Sequence, residues 1–411
     1  MAAINGSARI TPDPRRAGVG SRGRRGTGVS DQGRTLPLAV GWVSGGRWWV
    51  TRKNSHVTIL LFILGLVALV AGAELLVRGA SRLATTMGIS PLVVGLTVVA
   101  FGTSAPEVAV SVNAALSGNT DLAVGNVVGS NIFNVLFILG ISALITPLVV
   151  HAQIIRQEIP ILVGVSLILI ALCADERIAL VESVMLLAAL VAYTVFLVVQ
   201  SRKEAQPIQD EYAAENVSKS RWDKPVLVQV VLILAGLYLL VQGSEWFVDA
   251  STTFARVLGV SDIVIGLTIV AAGTSMPEVA TSIMAAIKGE RDIAVGNVVG
   301  SNTFNILGGL GITGLLAQGE VAVPASVMNF DLWVMLAVSF ACVPVFLSGR
   351  EIARWEGGVF LFHYAAYVAY LILASQQHAA LGAFSTAMMS FVLPLTVATL
   401  VAVMIRKPRN E

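Results

Sequence analysis

Residues 94–109 read VGLTVVAFGTSAPEVA, and residues 265–280 read IGLTIVAAGTSMPEVA. A second pair follows: AVGNVVGSNIFN at 123–134 and AVGNVVGSNTFN at 294–305. A shift of 171 residues lays 88–141 on 259–312 without a gap, and 35 of those 54 positions are identical. Weaker similarity reaches back to Gly72-Ala73-Glu74 and Gly243-Ser244-Glu245. Solenoid and propeller repeats recur every 20–50 residues or so, so this period means that a whole multi-element unit has been duplicated.

The repeats sit in an apolar chain. Of 411 residues, 55% are hydrophobic and 13% charged, about half the charged share of a soluble domain. Runs of about 20 apolar residues, long enough to cross a bilayer as a helix, are expected near 58–77, 90–116, 122–147, 157–174, 178–199, 226–248, 261–287, 293–316, 329–348, 356–374 and 381–405. Five of these fall in each repeat. Five is odd, so the second copy enters the membrane from the opposite side. The expected fold is an all-α polytopic membrane protein with two inverted five-helix repeats, ten core helices in all, and an eleventh C-terminal helix. The first repeat is assigned to 57–200, a connecting loop to 201–224, the second repeat to 225–375, and the extra segment and tail to 376–411.

Residues 1–56 differ from the rest. Gly-rich and basic, with Arg15, Arg16, Arg22, Arg24 and Arg25 close together, they have no apolar periodicity and read as disordered. No apolar core and cleavage site follows the charges, so this is not a signal peptide. An alternative reading starts translation later, for instance at Val50 or Val57. Cys173 and Cys342 lie in separate apolar segments and read as packing residues.

Loop charges set the orientation. The loops after odd-numbered spans and the C-terminal tail hold 15 Lys and Arg, against Arg177 and Arg256 in the opposite loops. That places 201–224 in the cytoplasm, in a multi-pass protein of the plasma (inner) membrane. The ten basic residues of the N-terminal tail run against this assignment. Because the basic residues sit in tails and loops, the net charge of +2 gives no reason to expect nucleic-acid binding.

Within Gly102-Thr103-Ser104-Ala105-Pro106-Glu107, Pro106 has no N–H and clashes with the carbonyl four residues back, so the helix is expected to kink and free carbonyls near Gly102. Inside a membrane those carbonyls need another partner, such as an ion. Thr103 and Ser104 share a helix face with Glu107. The second repeat offers Ala271, Thr274, Ser275 and Glu278. Ser130 and Asn134, and likewise Ser301 and Asn305, add side-chain oxygens four residues apart. Gly125, Gly129, Gly296 and Gly300 have the small-xxx-small spacing that lets helices approach closely. An ionised Glu at mid-membrane costs at least ~2.5–3.5 kcal/mol, and two equivalent ones call for a function. Carboxylates, carbonyls and hydroxyls suit hard cations such as calcium. The motif spans hold no thiolate or imidazole for softer metals. Glu74 and Glu245 read as helix-end residues at the membrane surface.

GTSAPE followed by GNVVGSNIFN, and GTSMPE followed by GNVVGSNTFN, resemble the two alpha-repeats of the sodium/calcium exchanger family, within the calcium/cation antiporter superfamily, over about 57–375. The resemblance implies ten core spans and alternating access, with the first and sixth spans sliding past the rest. It implies one central calcium site sharing ligands with several sodium sites. Carried over by position, calcium ligands are Glu107, Glu278 and the carbonyls of Thr103 and Thr274. Sodium ligands add Ala100, Ser104, Ser130, Ala271, Ser275 and Ser301, with Asn134 and Asn305 at the centre. The expected partners are calcium, sodium and the lipid bilayer, with no cofactor, enzyme activity or obligate protein partner.

Some relatives carry Asp where this chain has Asn305, so the site here holds two carboxylates and a formal charge of −2. The eleventh segment is a further departure, and no large regulatory domain is present in the sequence. A proton-coupled antiporter would use the same carboxylates and is the alternative. A channel would use Glu rings. An intramembrane hydrolase with Ser104 or Ser275 as nucleophile would need a base, and His56, His151, His363 and His378 all lie outside the motif spans.

Overall fold

The computed structural model describes residues 55–215, 225–260, 262–318 and 321–405. Most of the basic tail expected to be disordered, part of the 201–224 loop and the charged C-terminus with Arg406, Lys407 and Arg409 lie outside the described residues. A chain this apolar satisfies its backbone internally, and in lipid that leaves helices as the simplest solution. The described residues are accordingly almost all helical. In order these are α1 (Ser55–Met87), α2 (Pro91–Thr103), α3 (Ala105–Leu116), α4 (Thr120–Ile145), α5 (Ile154–Asp175), α6 (Leu180–Glu215) and α7 (Val226–Val257). They continue with α8 (262–273), α9 (Met276–Ile287), α10 (291–316), α11 (Val327–Leu347), α12 (Arg354–Ser375) and α13 (Leu381–Val403).

Among the described residues, eight helices are long and apolar enough to cross a membrane, or nine if α2 and α3, bent by 42° at their junction, make one span. The segments expected to span at 261–287 and 293–316 are also helical. The first is divided into α8 and the 12-residue α9, and the second carries the polar GNVVGSNTFN stretch. Two expectations need correction. The stretch 201–215 is not loop but the continuation of α6, since its Glu, Gln, Ala and Lys residues are good helix formers. Neither Glu74 nor Glu245 is at a helix end: α1 continues to Met87 and α7 to Val257, and Glu74 is ion-paired with Lys288 beyond the end of α9.

α1 and α7, the first helix of each repeat, pack through glycines. A Cβ on Gly72 would stand 2.8 Å from the Gly236 carbonyl, and one on Gly236 2.8 Å from the Gly72 carbonyl. Gly65 and Gly243 meet in the same reciprocal way at 2.9 Å. Rising numbers in α1 meet falling numbers in α7, so the two helices run antiparallel. Two short antiparallel clasps join the repeats. β1 (Leu148–Val149) pairs with β4 (Glu351–Ile352), and β2 (Arg177–Ile178) pairs with β3 (Val321–Ala322). Each clasp takes one strand from each repeat. Within each repeat an acid ties neighbouring helices: Tyr193 donates to the buried Glu158 at 2.7 Å between α6 and α5, and Tyr367 donates to the half-buried Asp331 at 2.8 Å between α12 and α11.

The two motif spans are broken rather than kinked. Ser104 (φ −79°, ψ 0°) and Ser275 (φ −90°, ψ 9°) leave the helical region, and a new helix starts after each. Pro106 and Pro277 sit in the first turn of α3 and α9, where a missing N–H does no harm. Widened π-type turns occur at matching places, Gly95–Val99 with Gly266–Val270 and Asn134–Leu139 with Asn305–Leu310. Such turns often mark functional positions.

Identical motifs nevertheless pack differently. A Cβ on Gly300 would lie 2.5 Å from the Leu96 carbonyl, and one on Gly296 3.0 Å from the Leu92 carbonyl, so α2 lies directly on α10. Their equivalents Gly129 and Gly125 meet nothing within 4 Å. The close approach expected of all four glycines is therefore made by one pair only. Matching residues of the half-helices agree: Val99 is 0% exposed and Val270 47%, and Ala100 is buried where Ala271 is exposed. α8 lies less closely on α4 than α2 lies on α10, and Val270 and Ala271 are exposed on it.

This difference predicts opposite outcomes for the same substitution. Gly300→Ala forces a methyl against backbone and lowers stability by about 1–3 kcal/mol. Gly129→Ala has room and gains up to ~1 kcal/mol of helix propensity. Thermal unfolding in detergent checks this, and equal effects on Tm would show that the two faces are packed alike.

Candidate functional site

The two breaks put Glu107 in the first turn of α3 and Glu278 in the first turn of α9. The free N–H groups of a helix start favour negative charge there. Both carboxylates are buried, Glu107 at 1% and Glu278 at 0% exposure. Their partners are crossed between repeats. Ser104 donates to Glu278 Oε1 at 3.0 Å, and Ser275 donates to Glu107 Oε1 at 2.7 Å. Ser275 Oγ also lies 3.5 Å from Ser130 Oγ. Each serine follows from its place at the break, one residue outside the new helix, where its side chain is free to turn to the opposite half.

The other oxygen of each carboxylate, Glu107 Oε2 and Glu278 Oε2, is buried with no hydrogen-bond partner. So are Asn134 Oδ1, Asn305 Oδ1 and Ser301 Oγ. Buried polar atoms are nearly always paired, and a buried carboxylate needs compensation. Five unpartnered acceptors, two of them carboxylate oxygens, make this the candidate site for a positively charged ligand. Among the described residues no group of three or more His, Cys, Asp or Glu comes together. The donor set is oxygen with only two carboxylates, which suits a hard, weakly polarising cation that takes six to eight oxygens or so.

The expected ligands are brought together unevenly. Glu107, Glu278, Ser104, Ser275, Ser130 and Ser301 are buried, as are Asn134 and Asn305. Thr103 is buried too, and its hydroxyl lies 3.1 Å from both Val99 O and Asn297 Oδ1, which share its one proton. The Ala100 carbonyl accepts from Ser104 N at 3.0 Å. On the other side Thr274 is part-exposed, and its hydroxyl reaches the Ala271 carbonyl at 3.4 Å. The carbonyl-bearing half from repeat two is thus open where that from repeat one is closed.

Sequence reasoning passed over a second set of residues lying in the same motifs. Asn126 donates to the Glu107 carbonyl at 3.1 Å and to Ser111 at 3.0 Å. Asn297 donates to Ser282 at 3.0 Å. Asn131 and Asn302 hold Asn305 and Asn134. Their signal was present: all four asparagines are identical in both repeats. On the hydrolase reading, no hydrogen bond joins a histidine to Ser104 or Ser275 among the described residues. Ser104 and Ser275 donate to carboxylates, while His363 contacts Val359 O and Thr396.

The family described as "Sodium/calcium exchanger protein" matches residues 57–199 and 228–373. CaxA of Alkalimonas amylolytica is 38% identical over 324 residues, covering 78% of this chain and 99% of that protein. Sodium/calcium exchanger MaX1 of Methanosarcina acetivorans is 31% identical over 346 residues, covering 77% and 98%. The solved structure of the sodium-calcium exchanger NCX_Mj soaked with zero Na+ and Ca2+ superposes with a TM-score of 0.66 at 30% identity, covering 77% of this chain and 100% of that one.

The orphaned oxygens predict a cation effect on stability. Calcium raises the Tm of the wild type in detergent. In Glu107→Gln and Glu278→Gln this rise is lost, while the ion-free Tm does not fall, because a buried uncompensated charge has been removed. A variant that keeps the full calcium-induced shift would show its carboxylate to be structural.

Proposed function

Because the chain belongs to the sodium/calcium exchanger family, we propose that it is a secondary antiporter that carries calcium against sodium by alternating access. The observation that carries this reading is the pair of buried glutamates, Glu107 and Glu278, each held on one oxygen by a serine of the other repeat and unpartnered on the second. The proposed calcium ligands are these carboxylates with the carbonyls of Thr103 and Thr274. Sodium sites share them and add Ser104, Ser275, Ser130, Ser301, Ala100 and Ala271, with Asn134 and Asn305 between.

The proposed architecture is two inverted five-helix repeats, ten core helices, with α13 as an eleventh. The antiparallel glycine contact of α1 with α7 and the two-repeat clasps support inversion. With 201–224 in the cytoplasm, as the loop charges propose, the open half at Ala271 and Thr274 faces outward in this conformation.

Charge decides the coupling expected. Two carboxylates carry −2, so one calcium ion neutralises the site and needs no monovalent companion. Replacing it with more than two sodium ions leaves excess positive charge, so exchange responds to membrane potential. The amides of Asn134 and Asn305 add oxygen ligands without charge.

The test is calcium uptake into sodium-loaded proteoliposomes. Uptake proceeds without potassium, is altered by an imposed potential, and is abolished by Glu107→Gln or Glu278→Gln. A requirement for potassium would sink the charge account. Uptake driven by a pH gradient with no sodium present would reassign the protein as proton-coupled.

A further inference from the structure

Asn131 and Asn302 occupy the same place in the two repeats, three residues before Asn134 and Asn305, and are buried at 1% and 0% exposure. They face each other. Asn131 Nδ2 donates to the backbone carbonyl of Asn302 at 3.2 Å, and Asn302 Nδ2 donates to the backbone carbonyl of Asn131 at 3.2 Å. A backbone carbonyl can only accept, so the NH2 end of each amide is committed there. The Met335 sulfur, 3.6 Å from Asn131 Nδ2, is a further weak acceptor on the same side.

The oxygen end of each amide must then find a donor elsewhere. Asn302 Oδ1 accepts from Asn134 Nδ2 at 2.9 Å, and Asn131 Oδ1 accepts from Asn305 Nδ2 at 3.3 Å. This commits the NH2 end of Asn134 and Asn305 in turn. What remains of those two amides is Oδ1, buried and unpartnered. The two backbone carbonyls, whose role is not adjustable, thus set the orientation of all four amides. An amide has nearly the same shape either way round, so packing alone would not choose. Flipped, Asn134 and Asn305 would turn an NH2 donor toward the cation site.

We propose that Asn131 and Asn302 are positioning residues that hold Asn305 and Asn134 with the carbonyl oxygen, not the NH2, presented to the transported cation. The inference rests on the antiport reading of the site. Pairing is crossed: Asn131 orients Asn305, and Asn302 orients Asn134.

The experiment uses the full-length protein in sodium-loaded proteoliposomes and reads calcium uptake against calcium concentration. Asn131→Ala and Asn302→Ala each raise the half-saturating calcium by roughly 10–100-fold, the usual effect of removing a residue that orients a metal ligand, while the maximal rate changes far less. The decisive readout is rescue. A carboxylate has two acceptor oxygens and no wrong way round, so Asn305→Asp restores calcium affinity in the Asn131→Ala background. In the Asn302→Ala background, where Asn134 is the amide set free, only the added charge acts, and the gain in affinity is smaller. Equal rescue in both backgrounds, or unchanged half-saturation in the single variants, would overturn the proposal. Should Asn131→Ala not elute as a folded protein, Asn131→Leu fills the volume, removes the same hydrogen bonds and carries the same expectation. Absence of calcium uptake by the wild type would instead remove the antiport reading itself, so the two failures are separable.

Discussion

Two negative side chains held out of water without a positive partner set the terms for everything around them. Glu107 and Glu278 are each buried, and each has one oxygen bonded to a serine hydroxyl from the other half of the chain. A hydroxyl can stabilise a carboxylate but cannot neutralise it. The first-turn N–H groups of α3 and α9 favour the negative charge without balancing it, and they are there only because the spans are broken at Ser104 and Ser275. Breaking two helices inside a membrane exposes backbone groups that lipid cannot satisfy. The breaks are therefore tolerable only where the surrounding helices close over them. The dense glycine contacts of α1 with α7, and of α2 with α10, provide that closure on one side.

The two halves share nearly the same sequence through the motifs and yet do not have the same surroundings. α2 rests on Gly296 and Gly300, while α8 stands clear of Gly125 and Gly129. Near-identical surfaces imply that the mirror arrangement, with α8 packed and α2 released, is sterically available to the same chain. On the antiport reading this is the property needed, because a carrier must offer its site to each side with comparable energy. The Glu74–Lys288 ion pair breaks the symmetry. The residue equivalent to Lys288 in the first repeat is Ser117, which cannot form such a pair with Glu245. Glu245 instead accepts from its neighbour Gln242 at 3.1 Å.

The asparagine brace shows how a neutral site is given polarity. Asn134 and Asn305 carry no charge, and an amide presents either an acceptor or a donor depending only on which way it is turned. Two backbone carbonyls, through Asn131 and Asn302, settle that choice for both at once. Because each brace residue meets its own equivalent from the other repeat, one hydrogen-bonded dyad serves both sides of the site. Fully satisfied buried networks of this kind rigidify what they hold.

The duplication, the apolar spans and the carboxylate, serine and asparagine positions were legible in the chain because they are local. Spacing along one helix decides which oxygens share a face, and identity between repeats marks which positions are doubled. The family was legible for the same reason, since the motifs are contiguous. The acid–tyrosine pairs, Glu158 with Tyr193 and Asp331 with Tyr367, are not legible as a repeat because small length differences take them out of the 171-residue register. Three features were decided only by tertiary structure. These are the crossing of Ser104 to Glu278 and Ser275 to Glu107, the reciprocal Asn131–Asn302 brace, and the unequal packing of equal glycines. The first two depend on contacts between residues some 170 positions apart, and the third on contacts between residues about 200 apart. A hydroxyl or amide does not encode its distant partner, and two identical segments cannot differ until the rest of the fold places different neighbours against them.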